Sequence, residues 1–173
     1  KLPTSNGMKI YFAADHAGFE LKNALLVYAR DELGHEVEDC GALTLDNDDD
    51  YPVFISSAAR KLSEDVARGV ESRAIVIGAS GQGEAIVANR FKGVRCVLYY
   101  GEATRRQTDM SGRKLDMLAS ARMHNNANAL SLGARFLSID EAKAALARWL
   151  STAFSGETRH SRRIKQIDDL STS

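Results

Sequence analysis

Short β-type runs alternate with stretches of helical periodicity along most of this chain. The runs predict five strands, which are Lys9–Ala14, His35–Asp39, Ala74–Ile77, Val94–Tyr99 and Ala129–Leu132. The stretches between and after them predict helices over Phe19–Leu33, from Pro52, over Glu84–Asn89, after the capping residue Ser138, and over Arg159–Leu170. Within Gly101–Met123 we expect two helical pieces, one on each side of Gly112. Strands alternating with helices at roughly thirty-residue spacing predict a Rossmann-like, doubly wound α/β fold. Its five-stranded parallel sheet is expected to carry helices on both faces.

Composition narrows the class of protein. The 173 residues are 44% hydrophobic and 27% charged with a formal net charge of zero, which favours one globular domain and argues against a nucleic-acid partner. Cys40 and Cys96 are the only cysteines, which predicts reduced thiols in a cytoplasmic protein. No apolar run is long enough to span a membrane, so no membrane partner is expected.

Three segments are predicted along the chain. Residues 1–7 are polar and without pattern, which indicates a disordered start or a cloning remnant. Residues 8–155 form the α/β domain. Residues 156–173 form a basic C-terminal helix, which we expect to pack on a partner subunit.

The segment Ile75–Arg90 carries the strongest site signal. An apolar strand runs into the glycine-rich turn Gly78–Gly83, and a helix begins there with Glu84 in its first turn. Such a turn leaves backbone N–H groups free to bind an anion, and a carboxylate beside it suggests chemistry beyond binding. The alternatives are glycines required only for tight packing and a glutamate that only complements the helix dipole.

Ligands of parallel α/β sheets bind at the carboxyl ends of the strands. Asp15 and His16 follow the first predicted strand and Arg135 follows the fifth, so we expect them beside Glu84, with His124 at the same edge. The alternative for Asp15 is a helix cap, and the asparagines after His124 are also an ordinary turn signal.

Basic residues near the C-terminus offer a second charged feature. Arg159 and Arg163 are four residues apart and share one helix face, which suits a phosphate clamp or a solvated surface. The four histidines show no metal-ligand spacing, so no metal is expected.

Several motifs together resemble one family. They are AADHAGFELK (Ala13–Lys22), DCGA (Asp39–Ala42), DDYP (Asp49–Pro52), GASGQGEAIVANR (Gly78–Arg90), HNNAN (His124–Asn128), GAR (Gly133–Arg135) and RHSRRI (Arg159–Ile164). In this order they resemble the ribose-5-phosphate isomerase B family, which includes galactose-6-phosphate isomerase subunits. The resemblance implies an aldose–ketose isomerase with no metal or redox cofactor. It also implies a homodimer or tetramer with shared active sites and a small sugar phosphate as substrate.

The resemblance also assigns roles to residues. Many members carry a catalytic cysteine where this chain has Gly78, and another branch uses a glutamate, which here is Glu84. Asp15 and His124 would line the sugar ring, with His124 assisting ring opening. The anion hole would consist of the Ser80 side chain and the N–H groups of Gly81, Gln82 and Gly83. Asn125 would hold a sugar hydroxyl. The phosphate would be bound by His16, Arg135, Arg159 and Arg163, the last two from a second subunit.

The implied reaction interconverts ribose 5-phosphate and ribulose 5-phosphate through a cis-enediolate. One feature departs from the family pattern, because Gly101–Met123 is longer than the segment in compact members. A six-carbon substrate, allose 6-phosphate or galactose 6-phosphate, is therefore an alternative. A non-catalytic module that binds phosphate or nucleotide is another.

Overall fold

A computed structural model describes residues 7–170. Within this range the strands are β1 (Lys9–Ala14), β2 (Glu36–Asp39), β3 (Ser72–Gly78), β4 (Cys96–Tyr99), β5 (Gln107–Thr108), β6 (Lys114–Leu115) and β7 (Ala129–Gly133). The α-helices are α1 (Phe19–Asp31), α2 (Tyr51–Ala67), α3 (Gln82–Ala88), α4 (Met117–Asn125), α5 (Ile139–Ser151) and α6 (Thr158–Leu170). A short 3₁₀ helix, His16–Gly18, precedes α1.

Five of the strands form one parallel sheet in the order β2-β1-β3-β7-β4. Side chains of β1 alternate between two apolar layers because successive residues of a strand point to opposite faces. Phe12 belongs to the layer under α1, α4 and α5, whereas Tyr11 belongs to the layer under α2 and α3. The predicted doubly wound α/β fold and its five parallel strands are therefore confirmed.

Two helical pieces are predicted around Gly112, and the prediction of the first one is wrong. Residues 107–115 form an antiparallel hairpin, β5–β6, and only the second piece is helical, as α4. Nearly every residue from 102 to 114 is exposed, so a helix here would have no apolar face to bury. Asp109 and Gly112 instead close a turn, with the Gly112 N–H bonded to the Asp109 carbonyl at 3.0 Å and Gly112 at φ +84°.

The described residues stop short of both ends of the chain. Residues 1–6, most of the patternless start expected at 1–7, lie outside the described residues, as do residues 171–173 of the C-terminal segment. Gly7 was expected in that start, but it packs against the backbone of Gly34 and His35. Among the described helices, none combines the length and the apolar character that a membrane span requires.

A partly buried ion pair fixes the loop that follows β2. The Lys22 side chain is fully buried in α1, and its Nζ lies 2.6 Å from Asp39 Oδ2. The other oxygen of Asp39 accepts the Gly41 N–H at 2.9 Å, and the Gly41 carbonyl accepts the N–H of Ala14 at 2.8 Å. These bonds hold the loop after β2 against the carboxyl end of β1, where the predicted site lies.

Candidate active site

The carboxyl ends of the parallel strands together form one side of the sheet, the carboxyl edge, and most of the predicted site residues lie there. They are Asp15, His16, Ser80, Gly81, Gln82, Gly83, Glu84 and Arg135, which follow β1, β3 and β7. Two backbone bonds join the loops after β3 and β7, from Ala134 N–H to the Gly78 carbonyl at 2.8 Å and from Arg135 N–H to the Ala79 carbonyl at 3.0 Å. The predicted edge and its residues are therefore adjacent in space.

Glu84 is a buried carboxylate in the first turn of α3, with 4% of its surface exposed. A Cβ built on Gly78 would lie 1.8 Å from Glu84 Oε1 and 2.1 Å from its carboxyl carbon. The carboxylate thus occupies the space that any side chain at position 78 would need. Only glycine at 78 allows Glu84 to lie there.

Burial changes the acidity of this group. Desolvation raises the pKa of Glu84 above its usual value, and the nearby negative charge of Asp15 raises it further. Asp15 is itself buried, and its Oδ1 accepts the N–H groups of Ala17 and Gly18, at 3.1 and 3.4 Å. The edge therefore holds two carboxylates in different environments, a desolvated one and a hydrogen-bonded one.

The turn before Glu84 is built for close approach. Gly81 has φ +77°, a conformation that favours glycine, and its carbonyl accepts the Ser131 hydroxyl at 2.6 Å. The Ser80 hydroxyl accepts the Gln82 N–H at 3.3 Å. The N–H groups in the first turn of a helix have no carbonyl partner within the helix, so the Gly83 N–H can bind an anion, whereas that of Gln82 is already bonded to Ser80.

Two residues without a predicted role, Asp49 and Tyr51, also lie here. Asp49 Oδ1 accepts the backbone N–H of His16 at 3.1 Å and lies 2.7 Å from its Nδ1. This bond raises the pKa of His16, and the nearby Arg135 opposes that rise. Tyr51 places its hydroxyl 2.6 Å from where a Cβ on Gly83 would be, so the phenol covers the turn. The only available signal was the matched DDYP motif, which assigned no role to either residue.

Three side chains of this edge form the one group of candidate metal ligands among residues 7–170. One ligand atom each of Asp15, His16 and Asp49 lies within 4.8 Å of the others. His16 and Asp49 already hydrogen-bond to one another there. The expectation that the protein uses no metal stays a prediction.

His124 and Asn125 do not lie at this edge, which corrects the expectation that His124 would join Glu84 there. They occupy the end of α4, directly before β7, whereas Asp15 and Glu84 follow strands. The Asn125 carbonyl accepts Arg95 Nε at 3.2 Å, and Arg95 directly precedes β4. The five steps from Asn128 to Gly133 span roughly 16 Å along the sheet, so His124 lies at the amino ends of the strands, the amino edge.

His124 lies instead with the C-terminal basic residues. Its ring packs against that of His160 of α6 at an interplanar angle of 39°, with a centroid distance of 4.4 Å. A cavity of about 240 Å³ here is lined by Gln107, Thr108, Asp109, Met110, His124, Arg159, His160 and Arg163. Asn125 is exposed beside it. The predicted site residues therefore form two groups in one chain, one at each edge of the sheet.

Neither cysteine suits nucleophilic or base chemistry. Burial raises the pKa of the Cys40 thiol to about 11 and that of Cys96 to about 12. The thiolate is the reactive form, and both groups stay protonated near neutral pH. Glu84 is the buried group at the glycine-rich turn that can exchange a proton.

A desolvated carboxylate beside a glycine-rich helix start, in a Rossmann-like fold, is the arrangement expected of an enzyme that transfers protons next to an anion. Residues 10–167 match the family model described as Ribose/Galactose Isomerase. The chain belongs to this family, as the motifs predicted.

Individual relatives agree with that assignment. Ribose-5-phosphate isomerase B of Mycobacterium tuberculosis (strain H37Rv) is 40% identical over 159 residues, covering 92% of this chain and 87% of that protein. D-erythrulose-4-phosphate isomerase 2 of Mycolicibacterium smegmatis is 31% identical, covering 92% and 95%. The crystal structure of ribose-5-phosphate isomerase B from Mycoplasma genitalium with bound ribulose-5-phosphate is similar with a TM-score of 0.81 and 29% identity. That match covers 97% of this chain and 99% of the other.

Proposed function

We propose that this protein interconverts ribose 5-phosphate and ribulose 5-phosphate, with Glu84 as the base. The observation that carries the proposal is the Glu84 carboxylate, buried in the space freed by Gly78 and adjacent to the start of α3. The names of the relatives and the ribulose-5-phosphate in the Mycoplasma structure support this choice of substrate.

The chemistry needs one base and one set of hydrogen-bond donors. Glu84 removes the C2 proton of the open-chain aldose, which gives a cis-enediolate. The proton of the C2 hydroxyl then passes to O1, and Glu84 returns a proton to C1 on the same face, which leaves the ketose carbonyl at C2. Negative charge develops on the substrate oxygens in this step. The Ser80 hydroxyl and the N–H groups of Gly81, Gln82 and Gly83 would stabilise it. The raised pKa of Glu84 makes the carboxyl a better proton acceptor once it is ionised.

Binding and ring opening are assigned to the other residues. His16 and Arg135 bind the phosphate at the carboxyl edge. Asp49 accepts a hydrogen bond from the His16 ring, which favours the charged form of His16. Asp15 contacts the sugar ring. Opening the ring moves a proton from the anomeric hydroxyl to the ring oxygen, and the His124 imidazole can accept and return that proton.

A substrate panel tests the proposed reaction. Purified protein is expected to turn over ribose 5-phosphate with a higher kcat/KM than erythrose 4-phosphate, allose 6-phosphate or galactose 6-phosphate, measured by NMR of the products. A six-carbon preference would overturn the substrate. Thermal stabilisation by nucleotides, together with no turnover of any of the four sugars, would instead indicate a non-catalytic binding module.

We also propose that each active site is shared between two copies of the chain, in a cytoplasmic homodimer. Glu84 and His124 lie at opposite edges of one sheet, so one chain does not bring them to the same sugar. Arg159 and Arg163 line the same cavity as His124. A second copy would supply this whole group, His124, Asn125, Arg159 and Arg163, to the carboxyl edge of the first.

Mixing two inactive variants tests the shared site. Glu84→Gln removes the base and His124→Asn removes the ring-opening histidine. A dimer that contains one chain of each variant keeps one site with both Glu84 and His124. Equal amounts, unfolded and refolded together, should recover about a quarter of the wild-type activity, since half of the dimers are mixed and each has one working site. The control is the same treatment of each variant alone. Recovery no greater than the two controls together would contradict the shared site.

A further inference from the structure

The hairpin β5–β6 contacts both nitrogens of the His124 ring. Asp109 Oδ2 lies 3.4 Å from Nε2, and the Gln107 side-chain Nε2 lies 3.3 Å from Nδ1. A carboxylate only accepts hydrogen bonds and an amide nitrogen only donates them. The arrangement therefore selects the tautomer with its proton on Nε2, facing Asp109, and its lone pair on Nδ1.

Asp109 is held more firmly than Gln107. Its Oδ1 accepts three hydrogen bonds within the turn, from Ser111 N–H at 2.9 Å, Ser111 Oγ at 2.6 Å and Arg113 N–H at 2.9 Å. The Asp109 side chain is 2% exposed, and the Ser111 bond is the largest of the contacts that lower its pKa. Gln107 is exposed, with one further side-chain bond, to Ser120 at 3.2 Å. A substrate can displace the amide of Gln107 more easily than it can displace Asp109.

The charges that face His124 explain why a carboxylate is needed. The tilted ring of His160 on α6 packs against the His124 ring, and Arg159 and Arg163 line the same cavity. Arg113 of the hairpin lies 3.2 Å from Asp109, and Glu157, before α6, pairs with Arg113 at 2.8 Å and Arg159 at 3.0 Å. Glu157 is thus engaged by two arginines. Asp109 is the carboxylate within reach of the His124 ring, where it offsets these cations when the ring takes up a proton.

We propose that Asp109 is a positioning residue for His124, fixing the imidazole with Nδ1 as the nitrogen that exchanges the proton in ring opening. Gln107 occupies Nδ1 until the sugar replaces it. This inference rests on the proposed role of His124 in the isomerase reaction. It gives a function to the part of the chain that is longer than in compact members, because that extra length builds the hairpin that carries Asp109.

The test replaces Asp109 by asparagine, which keeps an oxygen for the turn but removes the negative charge. The ¹⁵N chemical shifts of the His124 ring, measured by NMR, should lose the pattern of a single tautomer protonated on Nε2, because an amide at position 109 can either donate or accept a hydrogen bond. We expect kcat/KM for ribose 5-phosphate to fall by about 10- to 100-fold. Erythrose 4-phosphate cannot close a furanose ring, so its turnover should change little.

A matched control is Ser111→Ala, which weakens the same turn but leaves Asp109 Oδ2 facing His124. It should leave the His124 tautomer and kcat/KM for ribose 5-phosphate as in the wild type. Equal loss on both sugars in Asp109→Asn, with the tautomer of His124 unchanged, would overturn the proposal and leave Asp109 a turn residue. The NMR measurement needs no turnover. Absent isomerase activity in the wild type would refute the proposed function, while the ¹⁵N shifts of His124 would still decide whether Asp109 fixes its tautomer.

Discussion

Replacing Glu84 by glutamine should lower kcat for ribose 5-phosphate by about 10³-fold while KM changes little, because the amide cannot accept the C2 proton. A loss of this size corresponds to about 4 kcal/mol of transition-state stabilisation. Steady-state assays measure the rate. Exchange of the C2 proton with solvent in D₂O should be lost together with isomerisation, since both require removal of that proton.

Two controls separate catalysis from folding. Asp48→Asn removes an exposed carboxylate from the loop before α2 and should leave kcat unchanged. Because the folded state raises the pKa of Glu84, its ionised form opposes folding above that pKa. The neutral glutamine variant should therefore have a melting temperature at neutral pH equal to or above that of the wild type. A variant that keeps its solvent exchange would refute the assignment of Glu84 as the base.

Adding a single methyl group at Gly78 should be nearly as damaging to activity. The Cβ of alanine would lie 1.8 Å from Glu84 Oε1, so the carboxylate has to leave its place. We expect Gly78→Ala to lower kcat by about 10²-fold or more, since a displaced base loses the alignment that proton transfer requires. The same crowding should lower the free energy of unfolding by about 1–3 kcal/mol, measured in urea.

A double variant shows whether the two side chains compete for one space. Adding Glu84→Ala to Gly78→Ala removes the clash, so the double variant should recover stability relative to Gly78→Ala while staying inactive. If the double variant instead loses as much stability as the two single variants together, the methyl group and the carboxylate do not compete for the same space.

Much of the fold follows from local sequence. The strand Lys9–Ala14 and the capping box from Ser138 to Glu141 are as predicted, because a buried apolar run and a cap are each determined by a few neighbouring residues. The segment Gly101–Met123 lacks such a pattern. Its hairpin depends on the turn at Asp109, on contacts with the neighbouring helix α4, and on the ion pair of Arg113 with Glu157, which lies 44 residues further along the chain.

The site shows the same division. Placement of Glu84 and Arg135 at one edge follows from the rule for parallel sheets, which uses only the order of strands. That rule applies to residues after a strand, and His124 precedes one, so its expected place was wrong. The contact of Asp49 with His16 spans 33 residues of sequence, and only the folded chain brings these side chains together.

The shared space of Gly78 and Glu84 also constrains how such a site can evolve. A lineage that carries a cysteine at position 78 cannot gain a glutamate at 84 in the same place without first losing the cysteine side chain. If the glutamate is gained first, the intermediate has both side chains in the same space. If the cysteine is lost first, the intermediate has neither catalytic group. Each intermediate would be selected against, so the two solutions should persist as separate lineages instead of grading into one another.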